Sequence, residues 1–217
     1  MNILCLSLST FDKVGGVQTF NKFFYRALSE NKFNYIVISL HDKKSPNKKV
    51  HVCNSNYFKF LYYLFKCSDS ETVIIWQHVS LSIFLPILLC FKKIKTNIVT
   101  LYGTEVWGKE MSFLKRFCFM KMDYYWCISK FTAKQVITKY SIGKKKIKIF
   151  PCCIDTSIKK NFEKNPYQVN KFNILTILRL DKSGKLNAVY DMIKIIPNLI
   201  KNHKNVHFTI IGDGNYK

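Results

Sequence analysis

Short β-branched or aromatic runs separated by longer amphipathic stretches recur through almost the whole of this chain, and that rhythm constrains its fold more than any other feature. The pattern predicts strands over residues 2–8, 35–40, 50–53, 72–76, 97–101, 124–128 and 146–150. Helices are predicted between them. In the first, Val17, Phe20, Phe24, Ala27 and Leu28 mark one face; the others span 57–65, 81–91, 111–122 and 130–140, the last with Ser129 as its N-cap. Strands joined through helices return in the same direction. The expected fold class is therefore α/β, a Rossmann-like, doubly wound parallel sheet.

The repeat closes near Pro151. Residues 156–170 are polar, contain Pro166 and carry no periodicity, so they read as a linker between a first domain (1–155) and a second segment (171–217). In that segment a strand over 172–180 is followed by a helix over 186–201 and a strand over 207–211. The turn Gly212-Asp213-Gly214 ends it. Pro197 is expected to kink this helix or loosen its last turn. A single βαβ unit is near the size, about 40 to 60 residues, below which chains rarely bury enough surface to fold alone. A parallel strand pair also needs neighbours and covered faces. This reading expects an incomplete second Rossmann-like domain.

Composition removes several classes. With 48% apolar and 15% aromatic residues the chain can build a core, which excludes disorder. The formal charge of +22, from 35 Lys+Arg against 13 Asp+Glu, raises nucleic acid and membrane surfaces as partners. Only Arg26, Arg116 and Arg179 are arginines, whereas nucleic-acid readers rely on arginine forks. No nucleic-acid partner is expected. Peripheral contact with an anionic membrane fits better, beside the plainer reading of a solvated basic surface. The eight cysteines show neither a CxxC pair nor zinc spacing, so buried free thiols and no metal are expected. The start, MNILCLSLS, lacks a signal-peptide layout. The apolar stretch 81–91 has about half the roughly 20 residues a bilayer-spanning helix needs. A cytoplasmic protein is expected, peripheral at most to the inner face of the cytoplasmic membrane.

Ligands of open α/β sheets bind beyond the carboxyl ends of the strands, and the chemistry-bearing residues gather there. Gly15-Gly16 after the first strand can bring backbone N–H groups to a phosphate at a helix start, or simply make a tight turn. His78 follows the fourth strand and reads either as a catalytic group or as a structural hydrogen-bonder. Tyr102-Gly103-Thr104-Glu105 follows the fifth. Its Glu105 can face a cleft or cap the next helix. Arg179 and Lys185 flank the strand-to-helix turn of the second segment, where a guanidinium fork and a mobile ammonium suit a pyrophosphate. A GxGxxG fingerprint would be expected of a dinucleotide oxidoreductase, and the sequence after the first strand reads KVGGVQ instead.

In order and spacing, GGVQTF (15–20), TLYGTEVWG (100–108), CISKFTAKQV (127–136), IKIFPCCIDTS (147–157), ILRLDKSGK (177–185) and FTIIGDG (208–214) resemble the GT-B glycosyltransferases of family 4, the "glycosyl transferases group 1" type. The resemblance implies two Rossmann-like domains facing across a cleft, the first holding the acceptor and the second a UDP- or GDP-sugar. It implies a retaining, hexosyl-type transferase acting on a saccharide or lipid-linked acceptor in cell-surface polysaccharide or lipopolysaccharide assembly. No metal or other cofactor is implied. Gly15 and Gly16 would contact the donor from the acceptor side, and Arg179 and Lys185 would bind its pyrophosphate. Tyr102 and Glu105 are the catalytic candidates; His78, Gly103, Asp155, Gly212 and Gly214 are candidate cleft residues. Two positions depart from the family pattern: Tyr102 stands where a histidine is usual, and Pro151-Cys152-Cys153-Ile154-Asp155 replaces the common Pro-Asn-Gly-Ile-Asp hinge. The paired-glutamate element that holds the donor sugar in the family has no counterpart before residue 217. The expectation is a chain truncated within its donor domain, inactive as a binding module or completed by a second polypeptide.

Overall fold

The computed structural model describes residues 2–108, 110–153, 172–178, 180 and 186–215. The chain divides into two compact units, Met1–Thr156 and Ser157–Lys217.

The first unit is a seven-stranded, wholly parallel sheet. Its strands are β1 (Asn2–Ser7), β2 (Asn34–Ser39), β3 (Val50–Val52), β4 (Thr72–Trp76), β5 (Thr96–Leu101), β6 (Tyr124–Cys127) and β7 (Ile147–Ile149), in the spatial order β3-β2-β1-β4-β5-β6-β7. Each lies within or one residue beyond its predicted run. β1 is central, with Leu4 in register with Ile36 on one side and Ile74 on the other. Strands buried on both faces need apolar residues at consecutive positions, which explains unbroken runs such as ILCL and VIIW.

Alternate residues feed two cores. One face presents Leu4, Leu6, Ile38, Ile74, Trp76, Val99 and Tyr125. It packs against α2 (Tyr57–Lys66), a 3₁₀ segment (Val79–Phe84) leading into α3 (Leu85–Phe91), α5 (Phe113–Met120) and α6 (Lys130–Tyr140). The other presents Ile3, Cys5, Tyr35, Val37 and Ile75 to Tyr25 and Leu28 of α1 (Gly16–Glu30). Ser129 caps α6 as predicted, its Oγ accepting from the Thr132 N–H at 3.1 Å.

Three local predictions change. The single helix expected over 81–91 is a 3₁₀ turn followed by α3, with Pro86 in the first turn of α3, where its missing N–H costs no hydrogen bond. The helix expected from 111 begins at Phe113. The loop expected over 102–108 contains a helical turn, α4 (Thr104–Trp107).

In the second unit β8 (Phe172–Ile177) pairs in parallel with β9 (Val206–Ile211) through α7 (Leu186–Asn202). The helix runs on through Pro197, and its last turn is kept: the His203 N–H reaches the Leu199 carbonyl at 2.9 Å. Phe172 and Ile177 are 67% and 71% exposed, so this two-strand sheet leaves apolar surface uncovered.

Candidate functional site

β1 sends the chain to β2 and β3 on one side, whereas β4, β5, β6 and β7 build outward on the other. The strand order therefore reverses between β1 and β4. A crevice opens beyond the carboxyl ends at such a switch point, because the loops diverge there. Three stretches predicted to carry chemistry emerge at neighbouring strand ends: the loop from β1 to Gly15-Gly16, Gln77-His78 after β4, and Tyr102 to Glu105 after β5.

The β1 loop is held by Asp42, a residue the sequence reading passed over. Its carboxylate is fully buried and accepts from Ser9 Oγ (2.6 Å), Ser39 Oγ (2.7 Å) and the backbone N–H groups of Thr10 (2.7 Å), Phe11 (3.1 Å) and Asp12 (3.0 Å). Burial pushes this carboxyl up, but the hydrogen bonds from Ser9, Asp12, Thr10 and Ser39 outweigh it and hold the pKa below the usual carboxylate value. Asp12 in turn accepts from the Lys43 N–H at 2.5 Å. A signal existed in the sequence. Asp42 is an isolated acid just after a buried strand, in a segment otherwise crowded with lysine.

The loop delivers the chain to α1, which starts without a side-chain cap and without an acidic residue in its first turn. Gly15 is extended (φ 169°), a conformation any residue adopts. A Cβ on exposed Gly16 would meet nothing within 4 Å. Packing therefore places no demand for glycine at position 16, and the tight-turn account does not explain that residue. What the pair does create is an open, uncapped helix start with bare backbone.

Further along α1, Asn21 ties this loop to β5: its Nδ2 donates to Thr10 Oγ1 (3.2 Å) and its Oδ1 accepts from the Tyr102 hydroxyl (3.0 Å). The Phe20 ring meets Tyr102 edge-on at 5.6 Å. Tyr25 donates to the side-chain amide oxygen of Gln77, just beyond β4, and ties α1 to that strand end. Burial, then the nearby Cys152, Glu105 and Cys5, raise the Tyr102 hydroxyl well above the ordinary tyrosine value. Tyr102 is thus a neutral hydrogen-bond donor and no base.

Glu105, in the first turn of α4, accepts from the Tyr102 N–H and does not cap the helix expected from 111. It also lines an open hollow of about 580 Å³ with His78, Thr104, Gly108, Glu110, Met111, Ser112 and Lys115. His78 Nδ1 accepts from the Ser80 N–H (3.1 Å) and caps the 3₁₀ segment. Burial lowers its pKa, with Glu105 opposing and Lys115 assisting, so the ring is neutral near pH 7.

Gly212 and Gly214 have a packing reason to be glycine. A Cβ would lie 2.3 Å from the Leu178 carbonyl in the first case and 2.1 Å from the Leu180 carbonyl in the second. Arg179, Lys185 and Asp155 lie outside the described residues. Among the described residues no cluster of His, Cys, Asp and Glu could hold a metal ion, and no helix is long and apolar enough to cross a membrane.

No family model matches this sequence, and neither does any curated protein. Among solved structures, an α-glucosyltransferase in complex with UDP and a 13-mer DNA containing a central A:G mismatch superposes with a TM-score of 0.58 at 12% identity. That match covers 99% of this chain and 56% of the transferase, so the chain spans little more than half its length. WaaG, a glycosyltransferase involved in lipopolysaccharide biosynthesis, matches with a TM-score of 0.45 at 10% identity, over 96% of this chain and 70% of that one. The first likeness establishes the fold alone, a Rossmann-like α/β architecture shared with that α-glucosyltransferase.

Proposed function

We propose that this chain is a glycosyltransferase polypeptide that takes a sugar from a UDP- or GDP-sugar and passes it, with retention of configuration, to a saccharide or lipid-linked acceptor of cell-surface polysaccharide or lipopolysaccharide assembly. The observation that carries the reading is the pair Gly15-Gly16. It sits at the switch point and starts a helix with no side-chain cap, and a Cβ at Gly16 would meet nothing within 4 Å. Backbone N–H groups at a positive helix end suit an anion, and a departing nucleoside diphosphate develops negative charge. The family resemblance assigns pyrophosphate binding to Arg179 and Lys185 of the second segment. Glu105 and neutral His78 are the groups in the hollow that could orient an acceptor hydroxyl. Tyr102, neutral and bound to Asn21, positions the β1 loop and does not accept protons.

Calorimetry with UDP and GDP tests this. One of the two is expected to bind, and Arg179→Ala to weaken it roughly 30-fold, the worth of about 2 kcal/mol in charge-assisted hydrogen bonds. Undiminished affinity would sink the assignment. Gly16→Ala separates ligand from fold. The added methyl enters open space, so thermal stability is expected to hold or rise by about 0.5 kcal/mol, as for Gly→Ala at a compatible helical position, while binding falls. Loss of stability together with binding would return Gly16 to a structural role.

The uncovered apolar surface of the β8–β9 sheet favours a second reading, a binding module or one subunit of a two-chain transferase. Co-purification with a polypeptide carrying the remaining donor-side elements supports that reading over independent catalysis.

A further inference from the structure

Three elements on one sheet face turn apolar side chains outward as well as inward. On α2, Phe60 and Leu64 enter the core, while Phe58 (86% exposed) and Tyr62, four residues apart, face solvent. On the 3₁₀ segment and α3, Leu85 and Leu88 are buried whereas Ile83, Ile87 and Phe91 form an outward stripe at four-residue spacing. On α5, Cys118 and Phe119 are buried while Phe113 (87% exposed), Phe117 and Met120 form a third stripe. These elements adjoin one another. The Phe65 ring lies 6.0 Å from that of Phe91 and the Phe60 ring 5.0 Å from that of Phe84, and Lys115 Nζ donates to Ser80 Oγ at 3.1 Å. An apolar helix face of this kind ordinarily covers a core. Here a second one points away from it.

The charge within the three segments has one sign. Residues 57–66, 79–93 and 112–121 contain no acid, although the chain has 13. The ammonium groups lie among the aromatic rings: Lys66 over Tyr62 at 5.6 Å, Lys59 over Tyr63 at 6.0 Å and Lys121 over Phe117 at 5.3 Å. A protein partner would need a matching acidic and apolar surface. An anionic bilayer offers both together, taking apolar side chains into its interface and lysines against its headgroups.

We propose that the outer face of α2, α3 and α5 is a docking surface for an anionic lipid bilayer. The hollow holding His78 and Glu105 is lined by Met111, Ser112 and Lys115, the last two adjoining and within α5, so a docked molecule holds that hollow beside the lipid surface. Only this last consequence, delivery of a lipid-linked acceptor, rests on the glycosyl-transfer reading. The docking itself does not.

Co-sedimentation of the full chain with vesicles tests it, using phosphatidylcholine alone and phosphatidylcholine mixed with phosphatidylglycerol. Binding is expected to the mixed vesicles, weakening as salt is raised. Lys59→Gln/Lys66→Gln/Lys121→Gln is expected to reduce it roughly 100-fold, at about 5-fold for each lysine charge removed near such a surface. Phe58→Ser/Phe113→Ser removes two side chains that support little of the core, and is expected to reduce binding about tenfold with an unchanged unfolding transition. Equal binding to neutral vesicles, or full binding by the phenylalanine variant, overturns the proposal. So does a concentration-dependent dimer abolished by Phe58→Ser/Phe113→Ser, since the face would then be covered by a second copy. Vesicle binding without nucleotide binding upholds the docking surface and defeats the transferase reading; the reverse result does the opposite.

Discussion

Asp42→Asn is expected to lower the unfolding free energy of the first unit by about 3 kcal/mol, near the upper end for point substitutions. The carboxylate accepts five hydrogen bonds from Ser9, Ser39, Thr10, Phe11 and Asp12, and every partner is a donor. An amide of the same shape keeps one acceptor oxygen and turns N–H groups toward the remaining donors. The cost is therefore that of orphaned buried donors and not of lost volume. In a unit of this size the transition should fall by roughly 6 to 12 °C, as read by circular dichroism. The pH dependence gives a second check. The folded pKa of Asp42 lies below its ordinary value, so its contribution is present above the unfolded pKa of about 4 and disappears as pH falls through the folded value. The gap between native and variant proteins is expected to be constant at neutral pH and to close below about pH 4. A gap independent of pH would mean that Asp42 acts through packing and not through its charge. Because the same loop leads to Gly15-Gly16, nucleotide affinity in the folded variant is expected to fall as well.

Gly103→Ala carries the second large effect. Gly103 lies two residues beyond β5, at the start of α4, with φ 139°, where L residues are strained, and a Cβ there would stand 2.7 Å from Trp107 Cζ2. Its carbonyl accepts from the N–H groups of Val106 (2.8 Å) and Trp107 (3.2 Å), so the turn cannot rotate away without unwinding α4. Strain of about 2 kcal/mol, with displacement of an indole packed edge-on against Phe131, is expected to lower the transition by roughly 4 to 8 °C. It should also shift tryptophan fluorescence toward that of an exposed indole. The hollow around Glu105 should change with α4. An unchanged emission maximum and full stability would show that the turn tolerates a side chain. The contrast with Gly16→Ala is diagnostic, since one glycine serves the backbone and the other leaves space open.

Much of the architecture was legible because parallel sheets impose a strong signature. Runs such as ILCL and VIIW must be apolar at every position to be covered on both faces, and Ser129 announces its helix by a local hydrogen bond. Helix starts in the 79–113 region were less legible. Pro86 suits a first turn as well as an interrupted helix, and α4 follows a turn set by Gly103 and by the Tyr102 N–H bond to Glu105, which leave no periodic pattern. Gly15-Gly16, Tyr102 and Glu105 could be nominated from their places after strands. Asp42 showed only as a lone acid after a buried strand and Asn21 not at all, because their partners lie some thirty and eighty residues away in the chain and meet only when β1, β2 and β5 come into register.

By itself, then, the sequence determined a parallel α/β fold and put its unusual residues at strand ends, since periodicity and burial are local properties of the chain. Only tertiary structure decided which glycines the backbone needs, that Tyr102 is a buried neutral donor, and that Glu105 both accepts from the Tyr102 N–H and lines a hollow. It also decided that three helical elements share one apolar, basic outer face. Those outcomes depend on distances between residues remote in sequence, where desolvation and hydrogen bonding assign each side chain its role.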